Sequence, residues 1–177
     1  MNMSSKSIYK RIIMYIFRKS TPADKAELEK LFKENFGLFA INNGALNPTK
    51  NRYQIAEYNN KIVAATGILP IKKSEYNGYE ITWTCTNIKH RKKGLIVTML
   101  QKAEAELPKD YKPLYCSCWR LKDKKEINLS SVMKHLGMHC LIKERMKFKY
   151  PHNRSCSECI YAQKGCYCYC DLYIKER

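Results

Sequence analysis

The residues best suited to chemistry lie in one continuous run, Tyr79 to Leu107, which reads Y-E-I-T-W-T-C-T-N-I-K-H-R-K-K-G-L-I-V-T-M-L-Q-K-A-E-A-E-L. Its first eight residues are β-branched and aromatic, the composition of a pleated, half-buried strand. A basic turn follows, with Lys89, His90, Arg91, Lys92 and Lys93, and Gly94 closes it. Leu95, Thr98, Met99, Lys102 and Glu106 then recur at helical spacing, and Ala103 and Leu107 extend the apolar stripe. A strand that enters a helix through such a turn leaves backbone N–H groups and the positive helix end free to hold an anion, most often a phosphate. The acidic residue of the strand, Glu80, sits near its start. Period-two alternation places it on one face with Thr82, Thr84 and Thr86, opposite Tyr79, Ile81, Trp83 and Cys85. A carboxylate beside such a strand can act as a base, directly or through water.

A second concentration of reactive groups closes the chain, where Cys156, Cys159, Cys166, Cys168 and Cys170 crowd together. C-x-x-C followed by C-x-C is a reasonable tetrathiolate set, and a short loop-rich segment gains order from metal. Zn²⁺ on Cys156, Cys159, Cys166 and Cys168 is the expected arrangement, with Cys170 or His152 as substitute ligands. An iron–sulfur cluster or plain reduced thiols are the alternatives. Cys116 and Cys118 could carry an acyl group only beside a paired base, and buried strand cysteines are the commoner case. His135 and His139 flank Gly137 and read as structural histidines.

The elements that must position these groups follow from pattern. The chain has 177 residues, the length of one domain with a real core. Its formal charge of +17, from 33 Lys and Arg against 16 Asp and Glu, favours polyanionic partners such as phosphate-rich cosubstrates or nucleic acid, or else reflects a lysine-rich surface. Ile12–Phe17 is apolar for too few residues to cross a bilayer or to form a signal-peptide core, which points to a cytoplasmic protein with no membrane partner. Its nine cysteines are then metal ligands or core residues rather than disulfides.

Residues 1–11 form a basic arm, and Ile12–Phe17 reads as a short strand. Thr21 caps a helix with Pro22 in its first position and Asp24 in its first turn; Leu28, Leu31, Phe32 and Phe36 form its apolar face and Gly37 stops it. Residues 38–51 are loop-like. Strands Tyr53–Tyr58 and Lys61–Ile71 flank Asn59-Asn60, a pair that tolerates the positive φ angles of a tight hairpin. A turn at Asn77-Gly78 leads into the strand from Tyr79, and the helix beyond Gly94 ends near Pro108. Lys112–Trp119 is a further strand, followed by a short helix capped by Asn128 or Ser130 with Val132, Met133 and Leu136 inside. Cys140–Tyr150 alternates as a last strand, and residues 151–177 form the cysteine-rich tail.

The order β-α-β-β-β-α-β-α-β resembles the GCN5-related N-acetyltransferase superfamily over residues 12–150. Arg91-Lys92-Lys93-Gly94-Leu95-Ile96 is similar to that family's motif of Arg or Gln, two residues, Gly, one residue, then Gly or Ala, with Ile96 as the departure. Leu136-Gly137-Met138 is similar to its Leu-Gly-Phe ending before the last strand. The resemblance implies an α+β fold (an α/β/α sandwich), with a mixed, mostly antiparallel twisted sheet flanked by helices. It also implies transfer of an acetyl group from acetyl-CoA to an amine of an unknown acceptor. The backbone of Arg91, Lys92, Lys93, Gly94, Leu95 and Ile96 would hold the pyrophosphate of coenzyme A. Lys89, His90 and Lys92 would add positive field. The thioester would lie where strands 79–86 and 113–119 splay, its carbonyl against backbone N–H groups near Thr84, Cys85 and Thr86. Glu80 occupies the place of the family's glutamate base, eleven residues before Arg91. The family's acidic tyrosine is replaced by Met133, which leaves Tyr115, Cys116, Ser130, Ser131 or solvent to protonate the thiolate. A nucleic-acid-binding or nucleic-acid-modifying protein on the same fold, or a degenerate interaction module, are the other readings.

Overall fold

The structure, a computed structural model, describes residues 14–47, 53–72, 76–110, 113–121, 125–149 and 167–176. Its strands are β1 (Ile16–Lys19), β2 (Tyr53–Tyr58), β3 (Lys61–Lys72), β4 (Asn77–Thr86), β5 (Leu114–Leu121), β6 (His139–Lys149) and β7 (Tyr167–Lys175). They form one sheet in the order β1-β2-β3-β4-β5-β7-β6. Every neighbouring pair is antiparallel except β4 and β5, which run parallel. The helices are α1 (Lys25–Phe36), α2 (Leu38–Asn42), α3 (Leu95–Ala105) and α4 (Ser130–His135). This is the expected α+β architecture. Among the described residues no helix is long and apolar enough to cross a membrane.

The two faces of the sheet carry separate cores. On one, Leu28, Leu31 and Phe32 of α1 pack with Tyr53, Ile55, Ile62, Ala65 and Cys85. On the other, Leu95, Ile96, Met99 and Leu100 of α3 and Met133 of α4 pack with Ala64, Ile81, Leu114, Cys116 and Cys118. The start of α1 is fixed by charge. Asp24 accepts hydrogen bonds from the Thr21 backbone N–H at 2.6 Å and from both terminal nitrogens of Arg18 at 2.7 Å. The Arg18 guanidinium holds the Asp24 carboxyl well below the usual carboxylate range and reaches Glu57 of β2 as well. The β2–β3 hairpin turns as expected, with Asn59 and Asn60 at φ 50° and 57°.

Five expectations are corrected. The first strand begins at Ile16 rather than Ile12, whose own position lies outside the described residues. The stretch from Leu38 contains α2, a single short turn too brief to show a periodicity, which starts as Gly37 reverses the chain at φ 64°. Leu129, not Asn128 or Ser130, is the residue at the N-cap of α4. The alternation expected along Cys140–Tyr150 is interrupted by two register shifts against β7, with Glu144 at φ 53° within the second, and the neighbours Leu141 and Ile142 are both exposed.

The largest correction concerns the last residues. Tyr167–Lys175 is no appendage; it is a strand inserted between β5 and β6 and hydrogen-bonded to both. Cys170, Leu172 and Ile174 alternate into the core at 0%, 2% and 5% exposure. Cysteine here behaves as a small apolar residue, and period-two burial outweighs the thiol spacing. Across this strand, Asp171 takes the Arg120 guanidinium at 2.8 Å and the Glu144 N–H at 2.8 Å, a buried knot that joins β5, β7 and the irregular part of β6.

A chain ended at residue 150 should therefore lose cooperative thermal unfolding, because β5 and β6 lose the strand between them. Leu172→Ala in the full chain should lower unfolding stability by about 2–5 kcal/mol, the usual cost of such a core truncation. Denaturant titration reads both, and a shortened chain with an unchanged transition would remove β7 from the fold.

Candidate active site

The site is organised by the place where β4 and β5 part. The two strands pair at only three positions, Tyr79↔Leu114, Glu80↔Tyr115 and Ile81↔Cys116. Beyond them β4 follows β3 to Thr86, while β5 follows β7 to Leu121. The apex of this fork is tight. The Tyr79 N–H donates to the Pro113 carbonyl at 3.1 Å, and a Cβ on Gly78 would stand 2.2 Å from that same oxygen. Only glycine lets the backbones approach so closely.

What bends β4 away is a bulge. Thr82 pairs with Gly67 and Cys85 with Ala65, so Trp83 and Thr84 together oppose the single residue Thr66. Trp83 sits at φ 48°, outside the strand region. Its indole is held by Phe36 and Phe39, with ring centroids 5.9 and 6.1 Å away. The Thr84 hydroxyl lies 2.7 Å from that of fully buried Thr66. The bulge also changes which residues share a face. Ile81 packs in the α3 core and Cys85 in the α1 core, although simple alternation places them together. Glu80, Thr82, Thr84 and Thr86 therefore do not form one face: Thr84 and Thr86 have crossed over. From Thr82 onward the edge of β4 that faces β5 has no ladder partner among the described residues.

Past β4, the Asn87 side chain accepts the Lys89 N–H at 3.1 Å and starts a short 3₁₀ turn, Ile88–His90. Lys92 at φ 61° and Gly94 at φ 72° then wind the chain into α3. The first bond within that helix runs from Thr98 N–H to Gly94 O at 3.0 Å, so the N–H groups of Leu95, Ile96 and Val97 are the open donors of its positive end. The predicted residues of this turn divide into two kinds. Arg91 is a brace: its Nε donates to Thr86 O and its terminal nitrogen to Asn35 Oδ1, both at 3.2 Å. Lys93 reaches the Tyr15 hydroxyl at 3.0 Å, which also lies 3.0 Å from His90 Nδ1. Lys89 and Lys92 are exposed. Ile96, the departure from the motif, is 8% exposed and packs in the α3 core beside Leu95. Its side chain points away from the open amides.

Glu80 stands at the apex of the fork, half-buried, and accepts a hydrogen bond from Ser117 Oγ at 2.9 Å. Its electrostatic position is unusual. Among the described residues, the other buried or half-buried carboxylates are Asp24, Glu29, Glu57, Glu104, Glu144 and Asp171. Each is ion-paired, with Arg18, Lys33, Arg18, Lys175, Arg120 and Arg120 respectively. Among the described residues Glu80 has the Ser117 hydroxyl and no cation.

The remaining candidates are structural. Met133 is buried at 1% and offers no proton. Cys116 and Cys118 are buried with their sulfurs 3.4 Å apart. The contact with Cys116, then burial, pushes the Cys118 thiol far above its ordinary range, which keeps it neutral. Burial does the same to Cys85, whose side chain belongs to the α1 core. His135 Nδ1 lies 2.7 Å from the Ser131 carbonyl on its own helix. Of the expected zinc ligands, Cys156, Cys159 and Cys166 lie outside the described residues. Cys168 is in β7, paired with Leu121 and Phe148, and Cys170, the expected substitute, is a core residue. Among the described residues no three His, Cys, Asp or Glu side chains are grouped to hold a metal. Sequence reasoning missed the bulge and Ser117; the one trace of the latter is a lone hydroxyl in the strand Y-C-S-C-W.

His90 offers a direct test of the turn's field. Burial, then Lys93, then Lys89 lower its pKa below 6.5. The unfolded chain thus binds the proton more readily, and stability rises with pH between the lowered value and 6.5. Lys93→Ala should move the His90 midpoint upward in an NMR titration; an unmoved midpoint would remove Lys93 from the electrostatics of the turn.

No protein-family model matches the sequence, nor does any curated protein. Solved structures do match in shape. An acetyltransferase of the GNAT family from Streptococcus pneumoniae aligns with 93% of this chain and 100% of its own at TM-score 0.60 and 13% identity. YncA, a putative acetyltransferase from Salmonella typhimurium solved with acetyl-CoA, aligns with 92% of this chain and 93% of its own at TM-score 0.62 and 11% identity. NAA60 from Arabidopsis thaliana, in complex with a bisubstrate analogue, aligns with 92% of this chain and 98% of its own at TM-score 0.62 and 11% identity. The chain has the fold of the GCN5-related N-acetyltransferases.

Proposed function

We propose that the chain transfers an acyl group, acetyl in the simplest case, from acyl-CoA to an amine, with Glu80 as the base. The observation that carries this reading is the carboxylate at the apex of the fork: in a chain of charge +17, Glu80 is, among the described residues, the half-buried acid without a Lys or Arg. The open amides of Leu95, Ile96 and Val97, with the turn from Arg91 to Gly94, suit a pyrophosphate. Binding through backbone N–H groups is indifferent to the identity of residue 96 so long as its side chain points elsewhere, as that of Ile96 does. The unpaired edge of β4, from Thr82 to Thr86, suits the extended thioester arm, and its N–H groups suit the carbonyl oxygen.

Glu80 takes a proton from the ammonium of the acceptor. The free amine attacks the thioester carbonyl, negative charge gathers on the carbonyl oxygen against the β4 amides, and the C–S bond breaks as the amide forms and its nitrogen releases a second proton to solvent. The thiolate leaves and is protonated by solvent, since Met133 cannot serve. A neutral or anionic molecule bearing one amine suits the positive surface better than a polycation does.

Isothermal calorimetry with acetyl-CoA should show binding, and no heat at high micromolar ligand would overturn the reading. Glu80→Gln should then lower the rate of amine acetylation at neutral pH by about 10²-fold or more while leaving acetyl-CoA affinity unchanged. An unchanged rate would discard Glu80 as the base.

A further inference from the structure

We infer that Ser117 is a positioning residue for Glu80, a role that rests on the transferase reading above and that no feature of the motif assigns. The geometry is specific. Ser117 lies one residue beyond Cys116, the last β5 residue paired with β4, and itself pairs with Leu172 on the other side, in β7. Its backbone is therefore already part of the diverging arm. Its side chain nevertheless reaches back across the start of the fork, and Oγ donates to Glu80 Oε1 at 2.9 Å. This hydroxyl–carboxylate bond is the first link between the two strands after their backbone ladder has ended.

Two consequences follow from that placement. A serine hydroxyl has one proton to give, and here it is given to one carboxylate oxygen, which fixes the plane of the group and leaves Oε2 for an incoming ammonium. Among the described residues Glu80 has no Lys or Arg to hold it in place, so the neutral hydroxyl orients the carboxylate without occupying it as a cation would. The neighbouring wall is stiff. Tyr115, two residues before Ser117 on the same face of β5, is 8% exposed and stacks edge-on with Tyr76 at 5.3 Å between ring centroids. Leu172, opposite Ser117 in β7, is 2% exposed. Both flanks of the serine are thus set in packed core, and its Cβ has little freedom to drift.

The test compares the full-length parent, Ser117→Ala and Ser117→Thr with acetyl-CoA and three probe amines: spermidine, a tetrapeptide with a free N-terminus, and the side-chain amine of Nα-acetyl-lysine amide. Ser117→Ala should lower kcat about tenfold or more, the scale of one hydrogen bond to a charged group, with the KM for acetyl-CoA unchanged. Ser117→Thr, which keeps the hydroxyl, should restore kcat. A parental kcat in Ser117→Ala would overturn the role. So would equal losses in both variants accompanied by lower thermal stability, which would make the bond a strand staple only. The ¹³C chemical shift of the Glu80 carboxyl at neutral pH needs no acceptor: it should differ between Ser117→Ala and the parent and return in Ser117→Thr, and an unmoved shift overturns the proposal whatever the activity. If the shift moves but the parent acetylates none of the amines, the transferase reading fails and the catalytic role of Ser117 fails with it, while the bond stands.

Discussion

One backbone irregularity governs the site. Two residues of β4, Trp83 and Thr84, oppose a single residue of β3, and the strand that continues past them has turned away from β5. A bulge is costly unless its surroundings enforce it, and here they do so from both faces. Phe36 and Phe39 hold the indole of Trp83 on the α1 side, and Thr66 holds the hydroxyl of Thr84 on the other. At the apex, Gly78 lets the chain run against the Pro113 carbonyl, so the fork opens from a fixed point. An unpaired strand edge inside a sheet is ordinarily a liability, because its N–H and C=O groups lack partners. Under the proposed function, that edge is the element that would bind the cosubstrate's extended arm.

Charge is arranged around the fork with the same economy. The chain carries 33 basic residues against 16 acidic ones, and its interior carboxylates are matched to cations. Arg18 joins β1, the start of α1 and β2 through Asp24 and Glu57. Arg120 joins β5, β7 and β6 through Asp171 and Glu144. Such partly buried pairs are weak evidence for stability, but removing one member leaves an uncompensated charge, so they fix geometry. Arg91, which the motif presents as a phosphate ligand, is drawn into this scaffolding by Thr86 and Asn35. The proposed anion site would be left to backbone amides, the helix end and the exposed Lys89 and Lys92. Against that background a half-buried carboxylate whose one partner among the described residues is a hydroxyl stands apart, and the proposed function rests on it.

Local pattern made much of this visible in the sequence. The strand-turn-helix from Tyr79, the Asn59-Asn60 hairpin and the apolar face of α1 are each decided by a few neighbouring residues, and each was readable. What escaped depends on contacts distant in the chain. The bulge is enforced by Phe36, Phe39 and Thr66, none of them near Trp83 in sequence, and alternation along Y-E-I-T-W-T-C-T gives no sign of it. Strand β7 was hidden for a different reason: its cysteines read as ligands, whereas Cys170 serves as apolar filling between β5 and β6. The bond between Ser117 and Glu80 spans 37 residues and exists only because a parallel ladder stops one residue earlier.

The two departures from the family motif have opposite weight, and burial shows why. Ile96 and Met133 both point into the α3 core. At position 96 the chemistry is carried by the amide of the residue, and an amide is present whatever the side chain; turning isoleucine inward keeps the helix end open and adds apolar contact beneath it. At position 133 the chemistry would have to be carried by the side chain itself, and a buried thioether has no proton to offer. The half of the site made of backbone survives substitution, and the half made of side chains does not. In the proposed transfer, protonation of the leaving thiolate would pass to solvent, which is tolerable because a thiolate is a stable leaving group. Proton removal from an ammonium is not so easily delegated. In that proposal the burden falls on Glu80 and, through one hydroxyl, on the strand across the fork.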